Sequence, residues 1–232
     1  IEKRGFHGPK NLSAVFTYRI NIADKNTVLA TYSEDEYLFQ NHIPDEFDYM
    51  IDAGGYVGST AILYAQLYPW AKIRCIEPLT ENQRLIEKNI ADNKVEKRIT
   101  LIKGALWSES GKKIPVYYRD DSEVGAIHKF VGSAFPSYHE TVSPNNAEAL
   151  SYSLGDIIDT YKIDKIRLLK MDIEGAEYEV LKGLKPEHLK KIQTMVGEYH
   201  NIEPKRVLNP RTTLYEKVYQ YFDDKSESKE VE

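Results

Sequence analysis

The chain has 232 residues, 41% of them hydrophobic, and its 31 Lys or Arg against 36 Asp or Glu leave a net charge of −5. That length supports one domain with a sizeable core, and a mildly acidic chain without a basic block argues against duplex nucleic acid, whose phosphates need clustered Lys and Arg. No apolar run approaches the roughly 20 residues of a membrane helix, and the single cysteine, Cys75, excludes an internal disulfide and fits a reducing, cytoplasmic setting.

Residues 1–47 read as an irregular lead-in, with a strand expected over 28–32 and a short helix over 35–41. The first residue is Ile1, not Met, which suggests a piece of a longer product. Tyr49-Met50-Ile51 is an apolar run ending in Asp52 and a glycine-rich turn, after which a helix over 59–68 stops at Pro69. A second strand over 73–76 closes with Glu77-Pro78. Thr80 and Gln83 then form a capping-box pair, opening a helix with Leu85, Ile86 and Ile90 on one face. A third strand covers 99–102, and 112–118 looks like one arm of a hairpin turning at Gly111.

From Arg119 to Leu150 no period emerges, and so long a patternless stretch inside a domain marks an insertion that is either functional or disordered. A helix over 154–161 follows, then an almost wholly apolar strand over 166–171 that reaches Asp172. The next helix runs through Val180 and Leu181, with Gly183 as its C-cap. Ile192, Thr194 and Val196 alternate into Glu198, and Asn209-Pro210 opens a last helix through Leu214, Val218 and Phe222. The tail over 223–232 is polar and reads as disordered. Strands alternating with helices give βαβ units and a mostly parallel sheet, an α/β fold whose main domain spans 48–222.

In doubly wound sheets ligands sit at the carboxyl ends of the strands. The first turn here, Asp52-Ala53-Gly54-Gly55-Tyr56-Val57-Gly58, spaces its glycines G-G-x-x-G with an acid directly before them. Gly54 and Gly58 let backbone approach a ligand closely, and Gly55 tolerates a positive φ. A carboxylate at that point repels a pyrophosphate but suits the cationic amino-acid end and sulfonium of S-adenosylmethionine. Glu77 ends the next strand, where an acid accepts hydrogen bonds from ribose hydroxyls. A nicotinamide oxidoreductase is the rival reading, and both the glycine spacing and Asp52 stand against it.

The turn, with Glu77-Pro78 and then Asn82 and Asn89, resembles the motifs of class I methyltransferases. The stretch Leu168-Leu169-Lys170-Met171-Asp172-Ile173-Glu174-Gly175-Ala176-Glu177, closing with Val180-Leu181-Lys182-Gly183, resembles the hallmark of the FkbM-like methyltransferases. Gly55-Tyr56 stand where that family commonly has Asn and Ile. The resemblance implies a Rossmann-like class I sheet with helices on both faces. So few residues follow His200 that the usual C-terminal strand hairpin is expected to be shortened or missing. It implies S-adenosylmethionine as cofactor and O-methylation of sugars, glycans or polyketide-like products.

Carried onto this chain, the resemblance assigns Asp52 and Gly54 to the methionine end of the cofactor, with Gly55, Tyr56 and Gly58 of the same turn as further cofactor-binding residues. Glu77 falls to the ribose, with Pro78 beside it as a cofactor-binding residue. Ala105 and Leu106 fall to the adenine or, equally, to core packing, and Asp172 and Glu174 face the transferring methyl, Asp172 also counting among the cofactor-binding residues. A sugar hydroxyl needs its proton removed, and Asp172, Glu174, Glu198 and His200 are the candidate bases. Asp172, Glu198 and His200 also offer ligands for a divalent ion, a less favoured alternative that leaves the metal unassigned. The insertion over 119–150 is read as an acceptor-binding lid, its Phe130, Phe135, Tyr138 and His139 stacking on sugar faces. The leading expectation is methylation of a deoxyhexose or hexose in a glycan, with a glycosyltransferase domain fused in the full-length chain. A non-sugar natural-product methyltransferase and a non-catalytic cofactor-binding domain are the alternatives.

Overall fold

The computed structural model describes residues 1–20, 22–34, 37, 39–46, 48–118 and 145–197. Most of the insertion, the last helix, any C-terminal hairpin and the polar tail lie outside the described residues. The chain opens with an antiparallel hairpin of β1 (Glu2–His7) and β2 (Ser13–Tyr18), in register from Glu2↔Tyr18 to His7↔Ser13. Helix α1 (Ile22–Leu29) runs into a π-helical turn at Ala30–Glu34, and a short 3₁₀ turn covers Phe39–Asn41. The strand expected over 28–32 is therefore helical. Val28 and Tyr32 lie four apart, so one helical face buries both. Nor is the lead-in irregular, since Phe6, Phe16, Tyr18, Val28, Tyr32 and Phe39 belong to the main apolar core.

The central sheet is built from β3 (Tyr49–Ala53), β4 (Lys72–Glu77), β5 (Ile99–Lys103), β9 (Ile166–Met171) and β10 (Met195–Gly197), all parallel, in the order β10-β9-β3-β4-β5. Every residue of β3 is buried, as a central parallel strand covered on both faces requires. Met50, Ile73 and Leu168 share one cluster with residues of α2 (Ser59–Leu67), α3 (Thr80–Asp92) and the N-terminal hairpin. Tyr49, Ile51 and Ala53 point the other way, into a cluster with α4 (Leu154–Thr160) and α5 (Glu177–Gly183). Helices thus cover both faces, as expected. In the β3–β9 pairing a register shift between Tyr49 and Met50 sets Lys170 beside Asp52, and in the regular β3–β4 pairing Cys75 stands on the other side of Asp52.

The hairpin arm expected over 112–118 is strand β7 (Lys113–Tyr118), but its partner is not the preceding strand. It pairs antiparallel with β8 (Asn145–Ser153), which also pairs parallel with β6 (Ala105–Trp107) and so lies between them. Residues 145–150, expected to be patternless, are thus strand. Their small and polar side chains give too little contrast between the two faces to show a period. Two helix ends also differ from expectation. Thr80 makes no cap bond to α3, and Gln83 instead donates to the carbonyls of Glu77 and Pro78. Gly183 closes α5, with Leu184 as the cap residue; a Cβ there would lie 2.2 Å from the Ser108 carbonyl oxygen, so close packing explains this glycine. A short helix α6 (Pro186–Leu189) precedes β10. Among the described residues no helix is long and apolar enough to cross a membrane.

The N-terminal hairpin is stitched to α3 by two asparagines one turn apart. Asn89 Oδ1 accepts from Thr17 N at 2.7 Å while Asn89 Nδ2 donates to Thr17 O, and Asn93 does the same to Val15. These amides take the place of a neighbouring strand along the outer edge of β2. Asn89 Nδ2 also donates to Val57 O, so the same side chain reaches the turn after β3.

Candidate functional site

The turn after β3 is folded back on the strand ends. Gly54 N and Gly55 N both donate to Ile76 O, and Gly58 N donates to Gly55 O. Gly54 adopts φ +84°, and a Cβ on it would lie 1.9 Å from the Asp172 carbonyl oxygen. Only glycine allows β3 and the tip of β9 to come this close. A Cβ on Gly55 would meet Cys75 Sγ at 2.4 Å. Gly58, at φ +83°, is the N-cap of α2.

Asp52 lies enclosed near the end of β3. It is fully buried, and its Oδ1 faces Lys170 Nζ at 3.5 Å, with Cys75 Sγ 3.9 Å from Oδ2. Lys170 is the residue the sequence reading missed. Its ammonium donates to the carbonyls of Ala53 and Gly54 at 3.3 and 2.9 Å and lies 3.8 Å from Asp172 Oδ2. A lysine between Leu169 and Met171 in a mostly apolar strand was the available signal, because a buried ammonium has to have partners. Burial works to lower its pKa, but Asp52 and Asp172 outweigh that and hold it above the ordinary lysine range. Burial pushes the Asp52 carboxyl up, with Lys170 opposing, and pushes the Cys75 thiol far up, with Asp52 and Glu77 adding to it.

Glu77 at the end of β4 is almost as deeply buried as Asp52, and its carboxylate holds three donors. Oε1 accepts from Leu79 N and Asn82 Nδ2, both at 3.0 Å, and Oε2 accepts from Tyr56 N at 2.9 Å. Burial raises its pKa, with those three donors opposing. Tyr56 holds φ +51°, and its hydroxyl turns back to Asp24 of α1 at 2.5 Å. Asp172 N donates to Ala53 O, and the partly exposed Asp172 side chain accepts from Tyr37 OH at 3.4 Å. Glu174 and Gly175 both take positive φ in the turn after β9, and the buried Glu177 carboxylate accepts from Ile173 N at 3.1 Å.

The structure therefore brings Gly54, Gly55, Tyr56, Gly58, Glu77, Pro78, Asp172 and Glu174 to the carboxyl ends of β3, β4 and β9. Of these, Gly54, Tyr56, Pro78, Asp172 and Glu174 keep partial exposure. Ala105 and Leu106 are buried in the apolar cluster of α4 and α5, not on an open face. Glu198 and His200 lie outside the described residues. Among the described residues no group of three or more His, Cys, Asp or Glu is placed to hold a metal ion.

A parallel α/β sheet in this order, with a glycine turn at its central strand and acids at the neighbouring strand tips, defines a protein of the class I methyltransferase type. The chain belongs to the FkbM family, since the methyltransferase FkbM domain matches residues 52–227. It is similar to methyltransferase sdnD of Sordaria araneosa, 26% identical over 171 residues that make up 65% of this chain and 65% of that protein. It is also similar to AMB antimetabolite synthetase AmbE of Pseudomonas aeruginosa, 23% identical over 204 residues covering 73% of this chain and 10% of that protein. The chain thus spans less than two thirds of the length of either relative. Among solved structures, a precorrin-6y C5,15-methyltransferase from Geobacter metallireducens aligns with a TM-score of 0.42 at 14% identity, covering 84% of this chain and 73% of that one.

Proposed function

We propose that this domain transfers a methyl group from S-adenosylmethionine to a hydroxyl of a deoxyhexose or hexose in a glycan. The observation that carries the reading is the partly open acidic tip of β9, Asp172 and Glu174, pressed against the glycine turn by the close approach of Gly54 to Asp172. Two carboxylates there favour a cationic ligand over a phosphate. S-adenosylmethionine supplies an electrophilic methyl on a positively charged sulfur. Glu77 fits the nucleoside part: Oε1 already accepts two donors, whereas Oε2 accepts one and keeps a lone pair for a ribose hydroxyl. Gly54 and Gly58 hold the turn against the strand tips, and Pro78 borders it.

Methyl transfer to oxygen is an in-line displacement, so much of its rate comes from alignment of the acceptor. Asp172 serves as the base that takes the hydroxyl proton, with Glu174 beside it. Glu198 and His200 remain further candidates for that role. The sugar assignment rests on the acceptors usual for FkbM-like enzymes and on the aromatic residues of 119–150. A second reading, methylation of a non-sugar natural product, is favoured by the similarity to an antimetabolite synthetase.

The test is transfer of an isotope-labelled methyl from S-adenosylmethionine to a panel of hexose and deoxyhexose glycosides, read by mass spectrometry. A labelled glycoside is expected. Cofactor binding without any labelled glycoside would overturn the sugar reading in favour of a non-sugar acceptor or a binding domain. A chelator added to metal-stripped protein decides the divalent-ion alternative, which fails if initial rates stay unchanged.

A further inference from the structure

The N-terminal segment reaches the site through a closed ring of hydrogen bonds. Asp24 Oδ1 accepts from Tyr56 OH, and Tyr56 N donates to Glu77 Oε2. Glu77 Oε1 accepts from Asn82 Nδ2, and Asn82 Oδ1 accepts from Arg19 Nη1 at 2.7 Å. Arg19 then closes the ring by donating from Nε and Nη2, both at 2.9 Å, to the two oxygens of Asp24. Asp24 is fully buried, and the guanidinium also lies 5.3 Å from the centre of the Tyr56 ring.

We infer that Arg19 and Asp24 are positioning residues of the cofactor site, fixing the Glu77 carboxylate for the ribose through Asn82 on one side and Tyr56 on the other. The physical case is one of orientation. Glu77 has two oxygens with different duties, and its remaining acceptor position points correctly only while Asn82 and Tyr56 N hold the group from both sides. An asparagine amide can flip, and Arg19 specifies its orientation: with Nη1 bonded to Asn82 Oδ1, the nitrogen must face Glu77. Tyr56 sits at a left-handed φ that a non-glycine residue adopts only under constraint, and its bond to Asp24 together with the stacked guanidinium supplies that constraint.

The inference rests on the proposed cofactor reading, and the experiment separates the two. Isothermal titration of the full chain with S-adenosylhomocysteine and with its 2′,3′-dideoxy analogue is compared for the wild type, Arg19→Lys and Tyr56→Phe. Lysine keeps a charge beside Asp24 but cannot fork to Asp24 and Asn82 together. Arg19→Lys is expected to weaken S-adenosylhomocysteine by about tenfold and to leave the dideoxy analogue within about twofold of the wild type. Tyr56→Phe should show the same pattern with a smaller loss. A double variant, Arg19→Met with Asp24→Leu, removes both buried charges and should reproduce the tenfold, ribose-dependent loss even if the single change unfolds. Equal loss on both ligands would mean a purely structural role and would overturn the inference, as would unchanged affinity. A wild type that binds neither ligand would instead overturn the cofactor reading itself.

Discussion

Replacing Lys170 with methionine should destabilise the domain far more than its one lost charge at a surface would. The side chain is 4% exposed, lies 3.5 Å from a carboxylate that is itself 0% exposed, and ties down two carbonyls of the glycine turn. With the ammonium gone, Asp52 is left as an uncompensated buried charge, which costs about 3–5 kcal/mol. Against a total stability of about 5–15 kcal/mol, that is a large share. Urea denaturation followed by circular dichroism reads it directly. With a slope near 2–3 kcal/mol per molar, the midpoint should fall by about 1–2.5 M. The paired variant Lys170→Met with Asp52→Asn removes both charges but keeps an acceptor for the Ala61 backbone that Asp52 engages. It should recover at least half of the loss, the coupling expected of residues in contact. A single-variant cost below about 1 kcal/mol, or a pair no more stable than the single variant, would refute the view that Lys170 neutralises Asp52.

Gly54 and Gly111 share nearly the same positive φ, but a Cβ meets the Asp172 carbonyl at 1.9 Å in one case and nothing within 4 Å in the other. Gly111→Ala should therefore cost only the left-handed strain of about 1–2 kcal/mol, and Gly54→Ala clearly more; equal urea midpoints would contradict this. Glu77→Gln must place an amide nitrogen where a carboxylate oxygen now accepts an N–H, so it should lose about 1–3 kcal/mol and weaken S-adenosylhomocysteine more than tenfold. Unchanged calorimetric affinity would rule out its contact with ribose. Cys75, the single cysteine, is buried with its thiol pKa pushed far up. It should resist a thiol reagent even at pH 9, where a free cysteine with its pKa near 8.5 is largely thiolate, and react only on unfolding; rapid labelling of the native protein would contradict the packing around Asp52.

What the sequence revealed and what it hid divide along a physical line. The strands from β3 to β5 and β9 were legible because strands packed beneath helices read as short, mostly apolar runs. The glycine turn was legible because it rests on backbone conformations that few residues can adopt. The N-terminal hairpin was not, since β2 is paired on one side by β1 and on the other by amides from α3, a partnership no local period encodes. For the same reason 28–32 looked like a strand: β-branched and aromatic residues favour strands locally, and packing against the main core decided for helix.

The acids of the site show the same limit more sharply. In sequence, Asp52, Glu77 and Asp172 look alike, each an acid at the carboxyl end of a parallel strand. Burial separates them. Asp52 is enclosed and its charge is answered by Lys170, 3.5 Å away. Glu77 is nearly as enclosed, yet its three donors leave one acceptor position, which makes it a hydrogen-bonding group more than a source of field. Asp172, with Glu174 two residues on, keeps partial exposure at the strand tips, with Lys170 3.8 Å and the Tyr37 hydroxyl 3.4 Å from its carboxylate. The proposed preference for a cationic ligand therefore rests on the β9 tip more than on the acid before the glycines. Neutralising Asp172 should weaken a sulfonium ligand more than its uncharged thioether product, because only the first carries the charge that a partly exposed carboxylate attracts.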